Sequence, residues 1–188
     1  MSHQRGRIEI LAPVSTLAAA AAAARAGAQA VDAGDDEKLT EAIRDARFDV
    51  QICGRGPAAD LSRDTEMALR TGAQLLCADV AQTDQAVRAG IARDHMVVQV
   101  MPGELAATTQ AGWRTLVDLD GGVALAASAG AHSFAETLAR TEAVAAVCAW
   151  LGIDMIRTRH VTEIRRCLDM TESILGTRPP AWAVRGLA

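Results

Sequence analysis

Arg157, Arg159 and His160 fall within four positions, directly after the apolar run Ile153-Asp154-Met155-Ile156. Charge at the end of a buried strand needs a partner or a ligand, because an unpaired ion there carries its full desolvation cost. Arginine's planar fork matches a carboxylate or phosphate in two parallel bonds. His160, and His132 further back, titrate near neutrality and could serve as acid or base. A helix starting near Val161 would add its positive end. Polar residues also close the other apolar runs: Asp32, Cys53, Asp79, Gln99, Asp118 and Asp120. Two arrangements fit this set. The rim holds a small phosphorylated or carboxylated ligand, with Arg157, Arg159, His160, Asp32, Asp79 and His132 around it. Or the aspartates cap the helices that follow and pair with the arginines. Asp32, Asp118 and Asp120 fit the second arrangement better, and Arg157 fits the first.

These residues share one rim only if the chain alternates strand and helix. A repeated punctuation mark says that it does. Gly27, Gly72, Gly90, Gly112 and Gly152 each end a helical pattern and precede an aliphatic run. Glycine enters the left-handed conformation that closes a helix without steric cost. Alternation of this kind implies parallel strands joined by right-handed crossovers. The glycines lie 45, 18, 22 and 40 positions apart. At about 20 residues per strand-helix unit the long gaps hold two units each. The expected fold is therefore an α/β, TIM-barrel-like (β/α) barrel of seven or eight mostly parallel strands. It is short against the usual ~250 residues, and a single domain spans 1–188.

Strands are expected at 7–13, 30–34, 48–53, 74–79, 95–101, 115–120 and 153–158. An eighth, at 123–128, is in doubt because only Gly121-Gly122 separates it from its predecessor, too short for a parallel crossover. Helices are expected at 16–26, from Asp35-Asp36-Glu37 onward, and at 60–70, 133–150 and 161–175. The helix at 133–150 is the longest and most apolar. The run Cys53-Gly54-Arg55-Gly56-Pro57 follows a strand. It is either a plain turn or an anion cradle built from backbone N–H groups.

Composition narrows the function. A net charge of -4, no tyrosine and no basic stripe argue against nucleic acid. Cys53, Cys77, Cys148 and Cys167 form no C-x-x-C pair, so neither a disulfide framework nor a structural metal is expected, and a reducing cytoplasm fits. Cys53 and Cys77 read best as small core residues. Arg5 and Arg7 before an alanine-rich run loosely resemble an export leader, but Glu9 and Arg25 interrupt that run. It is also too short to span a membrane. No phosphate-binding loop, nucleophile elbow or dinucleotide fingerprint is present, and no cofactor is expected.

The C-terminal run Gly152-Ile153-Asp154-Met155-Ile156-Arg157-Thr158-Arg159-His160-Val161 resembles the last strand of dihydropteroate synthase, G-A-D-I-x-R-V-H-D-V. Gly72–Val80 resembles the family's G-A-D-I-I-N-D-V. Ala89–Asp94 resembles its A-G-V-x-R-D, and Gly27–Gly34 its G-A-D-I-I-D-V-G-G. The resemblance implies a pterin-binding (β/α)₈ barrel of folate synthesis, a transferase where active. It also implies dimers or heteromers through the helices 133–150 and 161–175. On this alignment a strand and most of a helix are missing between Val80 and Arg93. The pterin readers depart from the family. Its third-strand aspartate is Cys53 or Gly54 here, and its fourth-strand asparagine is Cys77 or Ala78. The aspartate of its L-D-P-G strand is Gln99 or Met101. Its S-R-K-S-F segment either matches Ala131–Phe134, with His132 in place of lysine, or is absent. Arg159 replaces the histidine of its R-x-H pair. The chain contains no asparagine, and its one lysine is Lys38.

Three functions follow. The first is a shortened relative without the pterin-reading and catalytic residues, acting through association. The second is a barrel enzyme or binder for a different small anion anchored by Arg157 and Arg159. The third is an active dihydropteroate synthase with relocated residues. No side chain is assigned a catalytic role.

Overall fold

The computed structural model describes residues 7–121 and 134–178. Eight parallel strands close into a barrel in sequence order. They are β1 (Glu9–Pro13), β2 (Ala30–Asp32), β3 (Gln51–Cys53), β4 (Leu61–Ser62), β5 (Gln74–Cys77), β6 (Met96–Gln99), β7 (Arg114–Asp118) and β8 (Met155–Arg157). Closure is by β1 on β8, with Leu11 opposite Arg157. The helices are α1 (Leu17–Arg25), α2 (Glu37–Asp45), α3 (Thr65–Thr71), α4 (Val80–Arg88), α5 (Leu105–Gln110), α6 (Phe134–Leu151) and α7 (Val161–Ile174).

The eighth strand is not where the sequence pattern looked for it. The 123–128 stretch lies outside the described residues. The barrel is completed by β4, a two-residue strand inside the stretch expected as a helix from Asp60. Leu61 pairs with Cys53 on one side and Gln74 on the other. The helix begins only at Thr65, where the Asp64 carboxylate accepts the N–H groups of Glu66 and Met67. Nor does the stretch after Val80 lack its helix: α4 follows β5 directly, capped by Asp79, and β6 begins at Met96.

The punctuating glycines behave as their spacing implied. Gly72 closes α3 at φ 75° and donates its N–H to Ala68. Gly152 ends the turn after α6 at φ 90°. Either conformation is costly for a residue with a Cβ.

Side chains alternate across each strand, and the barrel interior fills in three tiers. In the middle, each strand contributes one residue to a closed cluster: Leu11, Ala30, Cys53, Leu61, Leu76, Val97, Leu116 and Met155. Two positions towards the N-terminal face on β1, β5 and β7 stand Glu9, Gln74 and Arg114. The Arg114 guanidinium donates to Gln74 at 3.1 Å and to Glu9 at 3.4 Å. Two positions towards the C-terminal face stand the groups of the mouth. The interior is thus a packed core with a polar layer at each end. Outside it, a larger apolar layer, which includes Ile10, Val31, Ile52, Val98, Val117 and Ile156, packs under the helices.

A second buried ionic cluster ties α7 to the first strand. Arg165, 7% exposed, donates Nε to Asp169 at 2.7 Å, Nη1 to the Ile8 carbonyl at 2.7 Å and Nη2 to Glu172 at 2.8 Å. Glu172, 4% exposed, accepts the Ile8 N–H at 2.8 Å. Burial opposes ionisation of Asp169, but hydrogen bonding to Arg7 and the charge of Arg165 hold its carboxyl below the usual range. Arg165→Ala would leave Glu172 buried and uncompensated. We expect it to cost roughly 3–5 kcal/mol of unfolding free energy, read as a drop in urea midpoint with an unchanged slope.

Candidate functional site

Period-two alternation builds the mouth of the barrel. Asp32 lies two residues beyond Ala30, Arg63 beyond Leu61, Asp118 beyond Leu116 and Arg157 beyond Met155, so each stands above its strand's contribution to the apolar tier. Asp32 is the centre. Its side chain is 2% exposed, and every acceptor direction is used. Arg63 donates Nη1 to Oδ1 at 3.1 Å and Nη2 to Oδ2 at 2.8 Å. Arg157 donates Nε to Oδ2 at 2.9 Å. The Gly34 N–H reaches Oδ1 at 3.1 Å. Arg157 then spans to Asp118, Nη1 to Oδ2 at 2.9 Å. A chain of alternating charge, Arg63–Asp32–Arg157–Asp118, crosses the opening.

Burial alone would raise the Asp32 pKa, but the two guanidinium groups outweigh it and hold the carboxyl below its ordinary value. Arg157 is shifted the other way: desolvation opposes its charge, yet Asp32 and Asp118 raise its pKa. Beneath this chain, burial pushes the Cys53 thiol up to about 12, so it stays protonated at neutral pH and is no nucleophile.

The flanking residues fix the same edge. Asp118 Oδ1 accepts the N–H groups of Asp120 at 2.9 Å and Gly121 at 3.0 Å. Asp120 Oδ2 accepts the backbone N–H of Arg159 at 2.8 Å and faces Arg159 Nε at 3.3 Å. The ends of β7 and β8 are thereby latched together. Arg159 is otherwise exposed, 69% by side chain.

Of the residues singled out from sequence, Asp32, Asp118 and Arg157 come together. Asp120 and Arg159 stand beside them. Asp32 caps no helix, since Asp36 caps α2 by accepting the Leu39 N–H. Its partners are arginines. Asp79 is not at the mouth centre: it is exposed and accepts the Gln82 N–H at 2.8 Å as the N-cap of α4. His160 is half-buried at the start of α7, its N–H donated to Thr158 Oγ1 at 3.1 Å. His132 lies outside the described residues. Cys77 faces α4, clustered with Ala86 and Ile91. Arg63 was missed, because its strand was read as helix. The pattern that could have found it is Leu61-Ser62-Arg63, which repeats the in-out-in order of Ala30-Val31-Asp32. Among the described residues no group of side chains is arranged to hold a metal.

The mouth is thus an ionic chain over a filled barrel, with a depression of about 430 Å³ beside Arg157 and Arg159. No family model matches the chain. Against known proteins, it is 32% identical over 121 residues to the inactive dihydropteroate synthase 2 of Mycobacterium leprae, an alignment covering 57% of this chain and 41% of that protein. In three dimensions it superposes on Mycobacterium tuberculosis Rv1207 with a TM-score of 0.73 and 25% identity, over 93% of this chain and 94% of the other. The Yersinia pestis dihydropteroate synthase superposes with a TM-score of 0.73 at 19% identity, over 91% and 94% of the two chains.

The chain is a (β/α)₈ barrel whose fold is similar to that of dihydropteroate synthase and whose sequence is similar to that of inactive dihydropteroate synthase 2. It spans about two fifths of the length of the curated relatives it matches. Among its described residues no helix is long and apolar enough to cross a membrane.

Asp32→Asn removes the carboxylate that both arginines share. We expect a loss of roughly 2–4 kcal/mol at pH 7, below the full value for a buried pair because Arg63 is partly solvated. Asp32 titrates lower when folded than its unfolded value of about 3.9. Its contribution is therefore complete above that value and is lost as pH falls through the folded one. Urea midpoints of wild type and variant should differ most at neutral pH and converge in acid.

Proposed function

We propose that this chain is a non-catalytic, dihydropteroate-synthase-like protein that acts through association rather than pterin chemistry. The observation that carries this reading is the engagement of the mouth's charged groups with one another. Asp32 is the acidic group best placed to read a ring with hydrogen-bond donors, and two guanidiniums saturate it. Arg157, the arginine kept from the R-x-H pair, places its Nε and one Nη1 N–H on Asp32 and Asp118. A ligand entering here would have to replace charge-assisted bonds already made at 2.8–2.9 Å, at a cost that a few new contacts do not recover. The resemblance of the sequence to curated proteins named inactive dihydropteroate synthase 2 supports the same reading.

The purified chain, given a pterin pyrophosphate and p-aminobenzoate, is expected to form no pteroate above the enzyme-free rate. Turnover that scales with protein concentration and is lost in Arg157→Ala would overturn this reading.

The partner surface is the outer face of α6 and α7. These helices pack on each other, and Cys167 Sγ reaches the Glu142 carbonyl at 3.3 Å. Their exposed side chains include four large apolar ones: Val147 is 57% exposed, Trp150 63%, Met170 60% and Ile174 70%. A groove of about 410 Å³ between them is lined by Ala143, Ala146 and Met170, with Glu142, Glu163 and Arg166 at its edges. Acidic and basic groups bordering one apolar groove suit a second copy related by a two-fold axis, where each patch meets itself. The occupant is accordingly a second copy of this chain. Trp150→Glu, at a position outside the core, is expected to shift the sedimenting species from dimer to monomer with little change in thermal midpoint. A wild-type chain that sediments as a monomer at tens of micromolar would remove this interface.

A further inference from the structure

The turn after β3 has a feature that the closed mouth leaves unused. Gly54 and Gly56 are both buried, and each is fitted against α2. A Cβ on Gly54 would collide with Thr40 Oγ1, and one on Gly56 would meet Glu37 Oε1 at 2.5 Å. Gly56 also sits at φ 89°. An added side chain is disfavoured by Thr40 at Gly54 and by the left-handed φ at Gly56, and Arg55 stands between them. Arg55 is exposed, and among the described residues neither its guanidinium nor its backbone N–H has a partner. The N–H of Gly56 has none either.

Arg55 faces a depression of about 410 Å³ lined also by Gly34, Asp35, Ser62, Arg63 and Asp64. Arg63 grips Asp32 end-on through its two Nη atoms, which leaves its Nε edge without a partner among the described residues. Of the two acids here, Asp64 is occupied in capping α3. Asp35 is exposed and lies close enough to Arg63 to raise its pKa.

We propose that this depression, between the ends of β2, β3 and β4, binds the phosphoryl group of a small molecule. The Arg55 guanidinium grips one side and Arg63 the other. A phosphoryl dianion offers three acceptor oxygens to two guanidinium forks, which a single carboxylate cannot fill as completely. The volume suits a phosphorylated metabolite rather than a bare ion. The site lies across the mouth from Arg159. It requires no catalysis, so its test is independent of pteroate formation.

The test is calorimetric titration of the full chain with inorganic phosphate and pyrophosphate at constant ionic strength. Saturable binding is expected, weakened about 10-fold or more by Arg55→Ala and unchanged by Arg159→Ala. Arg55 makes no side-chain hydrogen bond or ion pair among the described residues, so the variant is expected to keep the wild-type thermal midpoint. Absence of saturable binding would overturn the proposal. So would loss on Arg159→Ala with none on Arg55→Ala, which would move the anion to the β8 side. Acetate binding as tightly as phosphate would overturn the phosphoryl assignment.

Discussion

The mouth of this barrel is governed by one buried carboxylate. Asp32 is 2% exposed and sits above an apolar tier that offers it no opposite charge. An ion in that position must be compensated almost completely or the fold does not hold it. Compensation comes from β4 on one side and β8 on the other, and Arg157 then needs Asp118 on β7. Three strand ends are thereby fixed relative to β2. The same requirement explains the Asp118 and Asp120 turns, which hold the end of β7 where Arg157 and Arg159 can reach it.

The geometry below makes this arrangement economical. A barrel whose strands run two to five residues has room for one apolar tier and little more. Eight inward residues close it, with Cys53 and Ala30 supplying small volumes among Leu, Val and Met. The N-terminal end is sealed by Arg114 with Glu9 and Gln74, and the C-terminal end by the Asp32 chain. Polar seals at both ends cost desolvation but satisfy their own hydrogen bonds, which an apolar plug open to water would not require. They also fix register, since a one-residue slip of β2 or β8 would carry Asp32 or Arg157 out under the helices.

Much of this was legible in the chain and some was not, for identifiable reasons. The glycines that stop helices have one conformational job, so Gly72 and Gly152 marked their turns without help from the rest of the fold. The strands at Glu9–Pro13, Met96–Gln99 and Met155–Arg157 announced themselves by aliphatic runs. Strand β4 did not. Two residues carry no periodicity, and the helical pattern of the following segment swept over it. The error propagated: with 60–70 read as helix, Arg63 was not counted among the arginines that could pair with Asp32. The pairing of Asp32 spans 31 and 125 positions of sequence, a link that no local pattern encodes.

The position of Arg63 also separates the fold from what the fold does elsewhere. Strand alternation decides only that the third residue of the Leu61-Ser62-Arg63 run points inward at the mouth, and side-chain chemistry decides what happens there. A small or acidic residue would leave Asp32 and Arg157 with donors and acceptors to spare for a ligand. Arginine closes the circuit. By taking Asp32 end-on, Arg63 keeps its Nε edge without a partner among the described residues, in the same depression that Arg55 lines. A barrel of one architecture thus carries its polar groups either facing a guest or facing each other, and a single residue directly after the shortest strand is enough to choose.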